Sequence, residues 1–173
     1  DFVEIGGGFG NLARLIVQFS LSKRYFIIDY PAMISVQYYY LTEFFDEDSV
    51  AVLTGNGYIT GKADSKICLV TPDAVPACSS ALSMPSMMVS TMAMTEIPPV
   101  GQQYYLGNLN VDTVYVYGQT RTIALPGGNQ LSEFEGISNQ WLFQYLVEKC
   151  HCISFVRGDY YSEFLGMMNH NSQ

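Results

Sequence analysis

The first ten residues limit the fold of this chain more than any other stretch. Phe2-Val3-Glu4-Ile5 is a short apolar run suited to a buried strand, and it leads without a linker into Gly6-Gly7-Gly8-Phe9-Gly10. Residues 11–19 then place Leu12, Leu15, Ile16 and Phe19 at helical spacing. A strand that ends in glycines can turn sharply, and its backbone can lie against a ligand because no Cβ intervenes. The helix that follows offers its unpaired N–H groups to the same place. Tyr25-Phe26-Ile27-Ile28 is a second apolar strand, closed by Asp29, and Pro31 suits the first turn of a helix running to about residue 45. Strand–helix–strand–helix alternation predicts a mostly parallel sheet with helices on both faces.

Further along, residues 50–53 and 66–70 read as strands, with Gly55, Gly57 and Gly61 in the turn between them. Residues 87–91 are another strand and 100–109 a helix. The β-branched and aromatic run 113–117 is a clear strand. Pro126-Gly127-Gly128-Asn129 predicts a loop, and residues 139–149 a helix with Trp141, Leu142, Tyr145 and Leu146 inward. Residues 152–156 and 162–168 predict a terminal antiparallel pair. The fold expected is a doubly wound α/β domain spanning residues 1–173. Its sheet is expected to be Rossmann-like, mostly parallel and seven-stranded, with the last strand antiparallel. The chain opens on a core strand with no signal peptide before it. That opening predicts that an N-terminal portion is missing.

Charge and composition exclude several classes. Sixteen acids against eight bases give a net charge of −8, and no run of bases is longer than two. A nucleic-acid partner needs a dense cationic footprint, so none is expected. Residues 74–95 carry no charge, but Pro76 and Pro85 interrupt them, and no membrane span is expected. With 49% hydrophobic residues the chain can bury a core. Cys68, Cys78, Cys150 and Cys152 read as reduced thiols, which implies a cytoplasmic location. Cys150-His151-Cys152 sets its ligands too close for an ordinary zinc site, and no metal is expected.

The glycine register decides between two nucleotide-like ligands. A dinucleotide loop reads G-x-G-x-x-G, but from Gly6 the sixth position is Asn11, and from Gly7 the third is Phe9. Glu4, Gly6, Gly8 and Gly10 instead give acid-x-G-x-G-x-G, which is similar to the first motif of class I methyltransferases. The ligand implied by that resemblance is S-adenosylmethionine, whose ammonium an acid such as Glu4 could accept. Asp29, nineteen residues past Gly10, stands where an acid can chelate ribose hydroxyls. The cofactor-binding set implied is Glu4, Gly6, Gly7, Gly8, Gly10, Asp29 and the adjoining Tyr30. Asp73 and Asn56, in loops after strands, are candidates for the adenine.

Three further blocks resemble the sugar O-methyltransferase family: Phe26-Ile27-Ile28-Asp29-Tyr30-Pro31 with Gln37-Tyr38-Tyr39-Tyr40-Leu41, then Met92-Ala93-Met94-Thr95-Glu96-Ile97, then Tyr104-Tyr105-Leu106. The resemblance implies O-methylation of a small hydroxylated acceptor, a sugar or glycoside, with Glu96 at the carboxyl edge of the sheet as the catalytic base. The plainer reading of Glu96 is an acid favoured by a helix N-terminus. Tyr38, Tyr39, Tyr40, Tyr104 and Tyr105 could stack on a sugar ring or simply pack their helices. His151 and His170 are expected to be bystanders. The chain departs from the family at Ser86, where an Asp is common, and at Gly118, where an Asn is. Those departures bear on substrate contacts. Two alternatives remain: a nicotinamide-dependent oxidoreductase, which the glycine register opposes, and a non-catalytic cofactor-binding domain.

Overall fold

A computed structural model describes residues 1–119, 139–157 and 161–169. The expected loop at Pro126–Asn129 and the tail histidine His170 lie outside these residues. The glycine-loop unit forms as its sequence dictates: β1 (Phe2–Ile5), α1 (Asn11–Gln18), β2 (Tyr25–Ile28) and α2 (Pro31–Thr42), with Pro31 in the first turn of α2. Then come β3 (Val50–Thr54), β4 (Gly57–Thr60), β5 (Ile67–Val70), α3 (Val75–Ala81) and β6 (Met87–Thr91). The remainder is α4 (Ala93–Glu96), α5 (Pro99–Asn108), β7 (Thr113–Gln119), α6 (Gln140–Lys149), β8 (Cys150–Arg157) and β9 (Tyr161–Met168).

All strands join one sheet in the order β4-β3-β5-β2-β1-β6-β7-β9-β8. From β3 to β7 every neighbouring pair is parallel, and β9 runs antiparallel to both β7 and β8. The sheet has nine strands rather than seven: β3, read as a strand at residues 50–53, pairs in parallel with β5, and β4, which was not expected, adds an antiparallel edge to β3. Chain order reverses between β1 and β6, and such a switch point opens a crevice above the carboxyl ends of the strands.

Strand alternation sorts the core into two layers. Val3, Ile5, Phe26 and Ile28 face α3, α5 and α6, while Tyr25 and Ile27 face α1 and α2. α6 packs as expected, with Leu142 and Leu146 buried and Trp141 and Tyr145 against the same core. α1 does so only in part. Ala13 and Val17 are its buried positions, Leu12 and Ile16 flank them, and Phe19 is 67% exposed. The cause is close approach: small Ala13 can sit directly on the strands, and the larger residues are turned to the side. No helix among the described residues is long and apolar enough to cross a membrane.

The opposite, amino edge of the sheet is tied by Arg24. Its Nη2 donates to Asp1 Oδ2 at 2.6 Å and to the Ala81 carbonyl at 2.7 Å, and its Nη1 reaches the Ala63 carbonyl. The guanidinium also lies 5.1 Å from the Phe26 ring centre. The Asp1 side chain is 1% exposed, so losing its cation would strand a buried carboxylate. Arg24→Met is therefore expected to lower unfolding free energy by roughly 3 kcal/mol, read by urea denaturation. A change under about 1 kcal/mol would show the pair to be solvated.

Candidate functional site

The crevice is built on the glycine loop. Gly6, Gly8 and Gly10 adopt φ of 74°, 54° and 96°, a region that L side chains rarely enter. At Gly6 the reason for glycine is contact, because a Cβ there would run into the Cβ of Ala93 just after β6. The first strand's loop and the segment after β6 thus touch directly. Gly8 is the opposite case: its Cβ direction meets nothing within 4 Å. That empty space above a loop of backbone amides is where a ligand could lie.

Glu4 lies beneath the loop rather than on its open side. Strand alternation turns it toward α1 and α2, where it is 3% exposed and accepts a hydrogen bond from the Tyr25 hydroxyl at 3.0 Å. Burial pushes its carboxyl from the usual 4.5 up to about 7; the Tyr25 bond opposes the shift and Asp29 adds to it. The folded state therefore favours the protonated form. This contribution is complete below pH 4.5 and is lost as pH rises through about 7. Glu4→Gln keeps the shape and removes the titration. The variant should match the native protein near pH 4 and exceed its stability by up to roughly 3 kcal/mol near pH 8, in urea unfolding at both values. Parallel pH profiles for the two proteins would mean that Glu4 does not titrate between them.

Asp29 stands half-buried at the end of β2. Its Oδ1 accepts the Tyr30 backbone N–H at 2.9 Å, and its Oδ2 accepts Gln37 Nε2 at 2.8 Å. Gln37, fully buried on α2, also donates to the Gly8 carbonyl at 2.8 Å. One side chain therefore joins the loop to the acid. Beside them is an aromatic wall. Burial, then nearby Tyr30, Tyr104 and Asp29, push the Tyr105 hydroxyl up to about 12. Tyr30 is 63% exposed, and the Tyr104 hydroxyl donates to the Pro72 carbonyl. Tyr38 and Tyr40 pack against the α1/α2 core, whereas Tyr39 faces outward.

On the other side of the crevice, Met92 adopts φ 77° and ψ −48° directly after β6, a strained conformation for a residue with a side chain. Its surroundings over-determine it. Met92 N–H donates to the Tyr117 carbonyl, and Thr95 Oγ1 donates to the Met92 carbonyl. Ser90 Oγ bonds the Ile5 carbonyl and accepts the Met94 N–H. Two buried amides complete the frame. Asn139 Nδ2 donates to the Thr95 and Gln119 carbonyls, and Gln102 Nε2 to those of Met94 and Ile97 and to Asn139 Oδ1. Within this frame Glu96 is the exposed last residue of α4, three positions past Ala93. Asn139→Ala would take the donor from the buried Thr95 carbonyl and the half-buried Gln119 carbonyl. It should cost about 2 kcal/mol in chemical denaturation; no loss would mean that water replaces the amide.

The other candidates are spread around the sheet, and Asp73 is at its carboxyl edge, beyond β5. Asp73 accepts hydrogen bonds from Thr71 Oγ1 and from the Gly55 N–H, tying β5 to the β3–β4 turn, and Asn56 lies exposed in that turn. Ser86 sits at the amino end of β6, where its N–H bonds Asp112, so its departure from the family pattern does not touch the crevice. Gly118 abuts Thr95, whose side chain fills the space a Cβ would take. His151 is at the start of β8, on the amino edge. Cys68, Cys78 and Cys150 are buried, and burial pushes the first two thiols up to about 12. Among the described residues no three His, Cys, Asp or Glu side chains gather around one possible metal position.

The sequence matches no family model and no curated protein. Its architecture does have relatives. The methyltransferase domain of a bacterial Hen1 (CtHen1-C) superposes with TM-score 0.65 at 12% identity, over 98% of this chain and 89% of that one. A SAM-dependent methyltransferase from Aquifex aeolicus gives TM-score 0.58 at 11% identity, over 97% and 81%. TrmK from M. capricolum, in complex with S-adenosyl-homocysteine, gives 0.58 at 9%, over 98% and 62%. At these identities the likeness is one of fold, and the chain has the Rossmann-like α/β fold of the class I methyltransferases.

Proposed function

We propose that this chain is the cofactor-binding core of an S-adenosylmethionine-dependent methyltransferase acting on a small hydroxylated acceptor, a sugar or glycoside. The observation that carries the reading is the contact between Gly6 and Ala93, which sets the glycine loop against the strained segment bearing Glu96 at the switch point. The residues fit the cofactor. Gly8 leaves open space, Asp29 is held at the end of β2 for two hydroxyls, and Tyr30 and Tyr104 flank it. Glu4, beneath the loop, supports it from below, and a ligand ammonium nearby would draw that carboxyl toward its ionised form. When bound, the cofactor supplies an electrophilic sulfonium methyl. Glu96 holds the acceptor hydroxyl and takes its proton. Sixteen acids against eight bases disfavour a nucleic-acid acceptor.

Calorimetry with S-adenosylhomocysteine and NAD in parallel tests the cofactor. Binding of the first and not the second is expected; the reverse would favour an oxidoreductase. Gly8→Val should abolish binding by filling the open space, and Asp29→Ala should weaken it by about 1–3 kcal/mol. Unchanged affinity in both would remove this site from consideration.

The catalytic assignment has its own experiment. Glu96→Gln should lower turnover on a glycoside panel by about 10²–10⁴ with cofactor affinity nearly intact. If Glu96 is only an acid favoured beside the amino end of α5, the change should cost a few tenths to about 1 kcal/mol of stability and leave turnover alone.

A further inference from the structure

We propose that Gln37 is a positioning residue that couples the glycine loop to Asp29, so that neither takes its ligand-binding geometry without the other. This rests on the S-adenosylmethionine reading above and adds to it a residue outside the ligand-facing set. α2 buries one stripe, Ile34, Gln37 and Leu41, and a glutamine is the odd member of it. Its Nε2 is 2.8 Å from the Gly8 carbonyl and 2.8 Å from Asp29 Oδ2. Both partners are acceptors, so only the amide nitrogen can face them, which fixes the rotamer. The Oε1 atom is left buried with no partner.

That orphan oxygen says why the glutamine is not there for stability. A leucine would occupy similar volume and bury no unpaired carbonyl. Gly8 is exposed and Asp29 half-exposed, so water could satisfy their acceptors if the amide were gone. What water could not do is hold them at one separation. The twelve-residue α2 carries the amide as a rigid arm, and the Tyr30 N–H fixes Asp29 from its other oxygen. The loop carbonyl and the acid are thereby set together before any ligand arrives, which removes the penalty of populating the competent form on binding.

Gln37→Leu and Gln37→Glu separate this from a packing role. For the full chain, three quantities are measured: S-adenosylhomocysteine affinity by calorimetry, melting temperature, and hydrogen exchange of residues 6–10 without ligand. Gln37→Leu should keep or raise the melting temperature, speed exchange in the loop and weaken affinity about tenfold. Gln37→Glu sets a second carboxylate against Asp29. Its affinity deficit relative to the native protein should be large near pH 8 and shrink near pH 5, where a protonated carboxyl again offers one donor. Native affinity in Gln37→Leu, or an affinity loss that only tracks a falling melting temperature, overturns the proposal. If the native protein itself fails to bind S-adenosylhomocysteine, the methyltransferase reading falls, and with it the role in that ligand's binding. Loop exchange in Gln37→Leu still decides the coupling: unchanged exchange ends it, and faster exchange sustains it.

Discussion

The structure depends most on how closely the glycine loop can lie over the ends of its neighbouring strands. Gly6 accepts β6's continuation at a distance no side chain would allow, because its missing Cβ is the space Ala93 occupies. Gly10 packs more loosely, with Leu41 of α2 3.3 Å from where a Cβ would stand. These contacts pull the two sides of the switch point into one crevice. Without them the loop would stand off, and Asp29 and Glu96 would belong to separate surfaces. The sheet beneath supplies the rigidity: β1 pairs in parallel with both β2 and β6, so the three strand ends that bear the site move as one piece.

Rigidity above the sheet comes from buried amides rather than from apolar packing. Gln37 ties the loop to β2, while Gln102 and Asn139 clamp the segment after β6 through five carbonyl and amide acceptors between them. Irregular backbone cannot bond to itself as a helix or ladder does, so its carbonyls need outside donors when buried. A primary amide suits this because it can serve two acceptors at once. The left-handed Met92 persists inside such a frame because every alternative would break several of these bonds.

The sequence reveals the fold through periodicity and punctuation, and it reveals the crevice through glycine spacing. Strand–glycine–helix order at residues 2–18 and the acid closing β2 are local signals, readable without knowing what packs on what. The β4 strand was not legible: Gly57-Tyr58-Ile59-Thr60 is a short run after a glycine turn, and only pairing with β3 makes it a strand. The α1 face was legible in part: of the apolar residues at helical spacing Leu12 and Ile16 pack against the core and Phe19 does not, while proximity to the sheet buries Ala13 and Val17. Glu4's burial follows from strand alternation against Val3 and Ile5 and could have been inferred. Gln37 had a signal too, a polar residue at the centre of the Ile34–Leu41 stripe. Gln102 had the same signal, a polar residue in the Gln102–Tyr105–Leu106 stripe of α5, whereas Asn139 had none, since its carbonyl partners at Thr95 and Gln119 are distant in sequence.

Three carboxylates follow strands at the carboxyl edge of the sheet, and this bears on what the crevice can hold. Arg24, Lys66 and Lys149 precede β2, β5 and β8 at the amino edge of the sheet, and Arg24 there is already matched by Asp1. Asp29, Asp73 and Glu96 follow β2, β5 and β6 at the carboxyl edge. Arg14, on the helix that follows the loop, is committed to Asn11, Gln18 and the Phe44 ring. A cleft of this sign raises the local concentration of cations and opposes anions. On the methyltransferase reading proposed above, the sulfonium and ammonium of S-adenosylmethionine would suit it. Buried Glu4 adds to this asymmetry, because it carries its charge most readily when a positive ligand lies above the loop.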